Sequence, residues 1–299
     1  MAIDFREPQL RDRDLIDHYY RSVESKSCED CFVNLYLWKH MYPTEFAIVD
    51  DMMVIRSLGE HHSYRFPKGP KENAKGVLEK MMEHAAGEGR EFRMIVITPE
   101  EFAMLEEMFP GKFKIEYERD IADYVYEREK LASLSGKKYH GQKNHVNKFL
   151  RTYPDWQYEK ITDDNVEECF QMALKWRDTQ GYDDTVDAEL HTELGVTMNE
   201  LRLMKELHLT GGALRVNGEI VAFTIGEPLC SDTFVAHVEK ARTDIDGAYT
   251  MIMQQFVLHE MDGFTYVNRE DDTGDEGLRQ AKEALHPAMM IQKGLVTLA

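Results

Sequence analysis

"GALRVNGEIVAFTIG", Gly212–Gly226, decides how the chain is read. Two apolar runs flank Asn217-Gly218, and a two-residue Asn-Gly loop marks a type I′ hairpin because both central positions need positive φ. Upstream, "WQYEKIT" (Trp156–Thr162) reads as a strand, and "DDNVEECFQMALKWRDTQ" (Asp163–Gln180) and the stretch from Asp187 to Leu207 read as helices. Downstream follow a strand "TFVAHVEKA" (Thr233–Ala241), a helix from Ala248 to Glu260 and a strand "FTYVN" (Phe264–Asn268). A helix "EGLRQAKEALH" (Glu276–His286) and a last strand from Met289 to Thr297 complete the series.

The same order occurs once before. A strand "IDFRE" precedes helices in "RDRDLIDHYYRSV" and "EDCFVNLYLWKHMY", then a hairpin "EFAIVDDMMVIRS" that turns at Asp50-Asp51. A strand "HHSYRFP", a helix from Lys71 to Ala86, a strand "RMIVI", a helix "PEEFAMLEEMF" and closing strands "KFKIEYE" and "DYVYERE" follow. Strand, two helices, three strands, helix, strand, helix, strand: this order resembles the GNAT (acyl-CoA N-acyltransferase) fold. The expectation is an α/β (α+β) protein of two tandem GNAT-like domains, each a mixed, mostly antiparallel sheet flanked by helices. The first would span residues 1–128, a basic linker helix 129–154, and a C-terminal domain carrying the active site 155–299.

A net charge of -19 and a pI near 5.1 mean that a polyanionic partner must find a local basic surface. One exists. From Lys130 to Pro154 the chain carries Lys130, Lys137, Lys138, Lys143, Lys148 and Arg151 and no acid. Val146, Phe149, Leu150 and Tyr153 fall at helical spacing, so one face can pack while the cations point outward. Such a face is either a solvated connector or a surface for nucleic-acid or polyphosphate oxygens. No apolar run is long enough to span a membrane, and the start "MAIDFREPQLRDRD" lacks the features of a signal peptide, so the expected location is cytoplasmic. "CEDC" (Cys28, Cys31) has no second pair, since Cys169 and Cys230 are isolated. The cysteines therefore read as small buried hydrophobes, and no metal site is expected.

Chemistry gathers in the second half. Alternation places His237 and Glu239 on one face of a strand, where they can act as general base for an attacking amine or form an ordinary polar face. "ARTDIDGAYTMIMQQF" turns into a helix at Gly247, whose free amides can bind an anion or stabilise developing negative charge. In GNAT enzymes such a loop receives the pyrophosphate of acetyl-CoA on two small residues. Here Gly247 fits the first, but Tyr249 fills the second, and Asp244 and Asp246 add the wrong charge. The stretch "YVNREDDTGDEGLRQAKEALHP" (Tyr266–Pro287) is not an EF-hand, because Thr273 stands where a ligand is needed. Thr273 and Asp275 suit a helix cap. Glu270 and Asp272 exceed what a cap needs and face a cation, either an amine substrate or Arg279 or Lys282.

Taken together, "GKKYHGQKNHVNKF", "HVEKA", "GAYTMIMQQF" and "VNREDDTGDEGLRQAKEALHP" resemble the C-terminal domain of phosphatidylglycerol lysyltransferases, which is similar to the FemABX transferases. The resemblance implies transfer of an aminoacyl group from charged tRNA to an acceptor amine or hydroxyl, without metal or cofactor. It further implies that Lys137, Lys138, Lys143 and Arg151 meet tRNA phosphates and that Glu270 and Asp272 line the aminoacyl pocket. These residues include no membrane-spanning half, so the expected acceptor is a peptide, a small amine or another soluble molecule. The alternatives are an acetyl-CoA-dependent N-acyltransferase acting on a cationic amine and an inactive double-GNAT scaffold.

Overall fold

The computed structural model describes residues 3–59, 61–179 and 188–299. Two compact units emerge: Met1–Asp123 with Asp271–Asp275 and Met290–Ala299, and Tyr124–Glu270 with Glu276–Met289.

In the first unit, α1 (Arg13–Arg21) and α2 (Phe32–Leu37) precede the hairpin of β1 (Thr44–Val49) and β2 (Met52–Ser57). Its turn residues Asp50 and Asp51 have φ of 47° and 61°, the left-handed values that such a loop requires. Then come β3 (Ser63–Tyr64), α3 (Lys71–Gly87), β4 (Arg93–Ile97), α4 (Pro99–Met108) and β5 (Phe113–Glu127). Helix α4 starts where Thr98 and Glu101 form a reciprocal capping box with proline in the first turn. The strand order is β1-β2-β3-β4-β11-β5, with β11 spanning Met289–Leu298. Met52, Val54, Val77, Leu78, Met81, Met94, Leu105 and Val296 form its core, so the last strand contributes to the first unit's interior.

In the second unit, α5 (Arg128–Ser133) and α6 (His140–Thr152) lead to β6 (Gln157–Lys160), α7 (Val166–Thr179) and α8 (Ala188–Arg202). The hairpin of β7 (Thr210–Val216) and β8 (Glu219–Pro228) turns at Asn217 and Gly218, with φ of 50° and 82°. Strand β9 (Thr233–Ala241), helix α9 (Ala248–Glu260), β10 (Tyr266–Asn268) and α10 (Glu276–Glu283) follow. The order is β5-β10-β9-β8-β7-β6, antiparallel except for β9 and β10. Each unit is thus a mixed, mostly antiparallel sheet with helices, as the repeated element order predicts.

Several expectations change. "IDFRE" forms only a bridge between Arg6 and Phe46. "KFKIEYE" and "DYVYERE" are one strand, β5, because the charged segment between them keeps extended backbone. The division at residues 1–128, 129–154 and 155–299 differs from the observed units: Met290–Ala299 joins the first, and the basic helix α6 lies inside the second. Gln180 and Asp187, at the ends expected for two helices, lie outside the described residues.

Candidate active site

The second unit brings a histidine and carboxylates together by an irregularity in its sheet. Ile225 pairs with Val238 but Gly226 pairs with Ala236, so β9 carries one extra residue, His237. A bulge of this kind re-aims a side chain. Gly226 makes it possible: a Cβ there would lie 2.1 Å from the Val235 carbonyl oxygen. The His237 side chain is 2% exposed, with Nδ1 2.9 Å from Glu270 Oε1 and Nε2 3.4 Å from Glu227 Oε1. A carboxylate accepts at both ring nitrogens, so both carry hydrogen and the ring is an imidazolium. Burial opposes that charge, but the hydrogen bonds to Glu227 and Glu270 and the negative field of Glu270 outweigh it, raising the pKa to about 10.

His237 and Glu239, expected to share a proton, have separate partners. Glu239 accepts from Arg269 Nη2 at 2.9 Å. Burial raises its pKa while Arg269 and Lys282 oppose the rise. A protonated His237 is not available as a base at neutral pH. Glu270 takes a left-handed backbone with φ of 57°, and its amide donates to Asn268 Oδ1 at 2.6 Å. Asp272, expected beside Glu270, belongs to the first unit, where Arg119 Nη1 donates to its Oδ2 at 3.1 Å and the Gly274 amide to its Oδ1 at 3.0 Å. Lys282 is buried, and its ammonium donates to the Arg269 carbonyl at 2.7 Å; Arg279 is half-buried on α10. That helix begins at Glu276, directly after Asp275.

Gly247 caps α9 with φ of 83°, and a Cβ there would lie 2.6 Å from the His145 carbonyl oxygen. Helix α6 therefore presses on the turn expected to hold an anion. Asp246 is paired with Lys148 at 2.5 Å and Asp244 with Arg242 at 2.6 Å. Tyr249, partly exposed, accepts from Trp176 Nε1 at 3.1 Å, and burial raises its pKa. Val146 and Phe149 bury one face of α6, leaving Lys137, Lys138, Lys143, Lys148 and Arg151 exposed. Lys137, Lys143 and Arg151 make no ion pair among the described residues.

Sequence reasoning missed Glu227, Arg269 and Glu200. Glu227 lies on a strand that reads as apolar, and Glu200 in the last turn of a helix; only a buried position gives either a meaning. It also missed the role of "CEDC" in the first unit. Glu29 pairs with Arg65 at 3.0 Å, Asp30 with Lys68 at 2.6 Å, and Cys28 Sγ donates to Asp123 Oδ1 at 3.2 Å. Asp123 in turn holds the fully buried Lys293 at 2.7 Å. Cys28, Cys31, Cys169 and Cys230 are all buried thiols outside any disulfide, as the sequence reading expects of burial.

The family model described as "Phosphatidylglycerol lysyltransferase, C-terminal" matches residues 20–295. The chain belongs to this family. A solved conserved protein of unknown function from Bacteroides thetaiotaomicron VPI-5482 is 38% identical, covers 100% of both chains and gives a TM-score of 0.93. The C-terminal domain of a putative lysylphosphatidylglycerol synthetase from Agrobacterium fabrum gives 0.69 at 12% identity, with 97% of this chain and 92% of that one covered. FemX gives 0.64 at 8% identity, covering 98% and 96%. These last two show a common fold. An uncharacterized protein of Mycoplasmoides gallisepticum is 23% identical over 197 residues, and the match spans 64% of this chain and 61% of that relative. No helix among the described residues is long and apolar enough to cross a membrane.

Proposed function

We propose that the chain is an aminoacyltransferase that moves an aminoacyl group from charged tRNA to a soluble amine or hydroxyl acceptor. The observation that carries this reading is the exposed row Lys137, Lys138, Lys143 and Arg151 on a family member whose net charge is -19. In a chain that repels polyanions overall, such a row is a phosphate-binding surface. The acceptor nitrogen or oxygen attacks the ester carbonyl, the bond to the ribose oxygen breaks, and the acceptor's proton ends on that oxygen. Glu270, whose side chain is 22% exposed, takes the proton; His237 fixes its position through the 2.9 Å hydrogen bond. The pocket's negative charge also suits the α-ammonium of the aminoacyl group. Glu239 and Arg269 flank it as a neutral pair. No acetyl-CoA is required: α6 covers the Gly247 turn, and Tyr249 stands where a small residue is needed.

Reversing both charges, Lys143→Glu with Arg151→Glu, tests the reading by tRNA binding across a salt series. Each lost phosphate contact lowers the slope of log affinity against log salt by roughly 0.7 to 1, so a drop of about 1.5 to 2 is expected for the pair. An unchanged affinity and slope would refute it.

A further inference from the structure

Near His237 lies a buried carboxyl group that the proposed reaction does not use. Glu200, near the end of α8, is 1% exposed, and its Oε2 has no hydrogen-bond partner among the described residues. The charges acting on it are His237 and Lys240 from β9, Glu227 from β8 and Glu270 from the segment after β10. Lys240 is committed elsewhere, its ammonium paired with Glu193 and lying 3.8 Å over the Trp176 ring. From α7, which packs on α8, Glu168 is turned to Arg215 at 2.7 Å. His237 already serves both Glu227 and Glu270, and an ionised Glu200 would be a buried negative charge with one oxygen lacking a hydrogen-bond donor among the described residues. Such a group takes a proton instead, as when two neighbouring carboxyls share a site.

We propose that Glu200 is held as a neutral carboxylic acid, a positioning residue that adds no negative charge beside His237 and leaves Glu270 as the accessible carboxylate. The inference rests on the proposed aminoacyl transfer only for its role in turnover; the proton on Glu200 is a property of the folded chain.

The test uses the full chain. Infrared spectroscopy of the parent, with its glutamate carboxyls isotope-labelled, is expected to show the carbonyl stretch of a protonated carboxyl at neutral pH. That band should disappear as pH rises through about 8, the range to which burial and the neighbouring carboxylates lift this group. It should be absent from Glu200→Gln, whose amide keeps the shape of the neutral acid. A parent with no such band, or a variant that retains it, overturns the proposal, and the parent's titration needs no variant to fold. In an aminoacyl-transfer assay, the parent should lose activity as pH rises through about 8, whereas Glu200→Gln should stay within about threefold of the parent at neutral pH and show no such decline. A larger loss at neutral pH overturns the positioning role. Should the parent transfer nothing while the band titrates, the proposed reaction fails and the neutral Glu200 stands.

Discussion

Replacing His237 by glutamine removes a cation from between the buried carboxylate of Glu227 and the half-buried one of Glu270 while preserving a hydrogen-bonding side chain. The rise of its pKa from 6.5 to about 10 corresponds, at about 1.4 kcal/mol for each tenfold change, to about 5 kcal/mol separating the charged and neutral forms. Because Glu227 and Glu270 share these interactions, the expected loss is about 3 to 5 kcal/mol, the usual result of stripping one partner from a buried ion pair. The sign follows from linkage. A histidine whose folded pKa is raised stabilises fully below 6.5, and that contribution disappears as pH climbs through about 10. Glu200 acts in the same direction: raised from 4.5 to about 8, it binds its proton more tightly in the folded state, so stability falls between those values. The parent should therefore lose stability steadily from neutral to alkaline pH. His237→Gln should be weakest relative to the parent near pH 6 and converge with it toward pH 10. Urea unfolding at stepped pH measures this, with Trp156 and Trp176 reporting on the second unit and Trp38 on the first. An offset between parent and variant that does not change with pH would refute the charged-histidine account.

Two further substitutions test how the units are built. Gly247→Ala must accept both φ of 83° and a Cβ 2.6 Å from the His145 carbonyl, so it should cost about 2 to 4 kcal/mol and loosen α6 in hydrogen exchange. Gly218→Ala, with φ of 82° but open space, should cost only about 1 kcal/mol; equal losses would mean that the contact with α6 has no energetic weight. In the first unit, Lys293→Met leaves Asp123 buried without its cation and should destabilise by about 3 to 5 kcal/mol, whereas Lys293→Met with Asp123→Leu should recover most of that in the same denaturation assay. Failure of the double variant to recover would mean that the Cys28 amide and thiol, which donate to Asp123, or Glu29, which lies 3.6 Å from Lys293, carry the loss instead.

The architecture was legible because its signals are local. Asn217-Gly218 forces positive φ whatever surrounds it, and Thr98-Pro99 with Glu101 starts α4 through contacts within one turn. Short β-branched and apolar runs such as Thr233–Ala241 and Arg93–Ile97 are strands over the same bounds that their sequence suggests. What alternation does not reveal is which sheet a strand joins. β11 follows α10 in the chain, yet its Val296 packs with Met94 and Ile97 in the first unit, because pairing depends on distant edges rather than on the strand's own pattern.

The site was legible only by half, and the same physics explains both halves. His237, Glu239 and Glu270 stand out because a charged group in or beside an apolar strand is conspicuous in one dimension. Their partners are not. The bulge that adds His237 to β9 depends on Gly226 in β8, and Arg269, one residue past β10, draws Glu239 away from His237. Glu200 looks like any helical glutamate until burial deprives it of water. Whether a carboxyl is a base, a partner or an acid holding its proton depends on which charges and donors reach it, and for Glu200 those charges come from β8, β9 and the segment after β10. None of those segments alone shows that its Oε2 lies buried without a donor among the described residues.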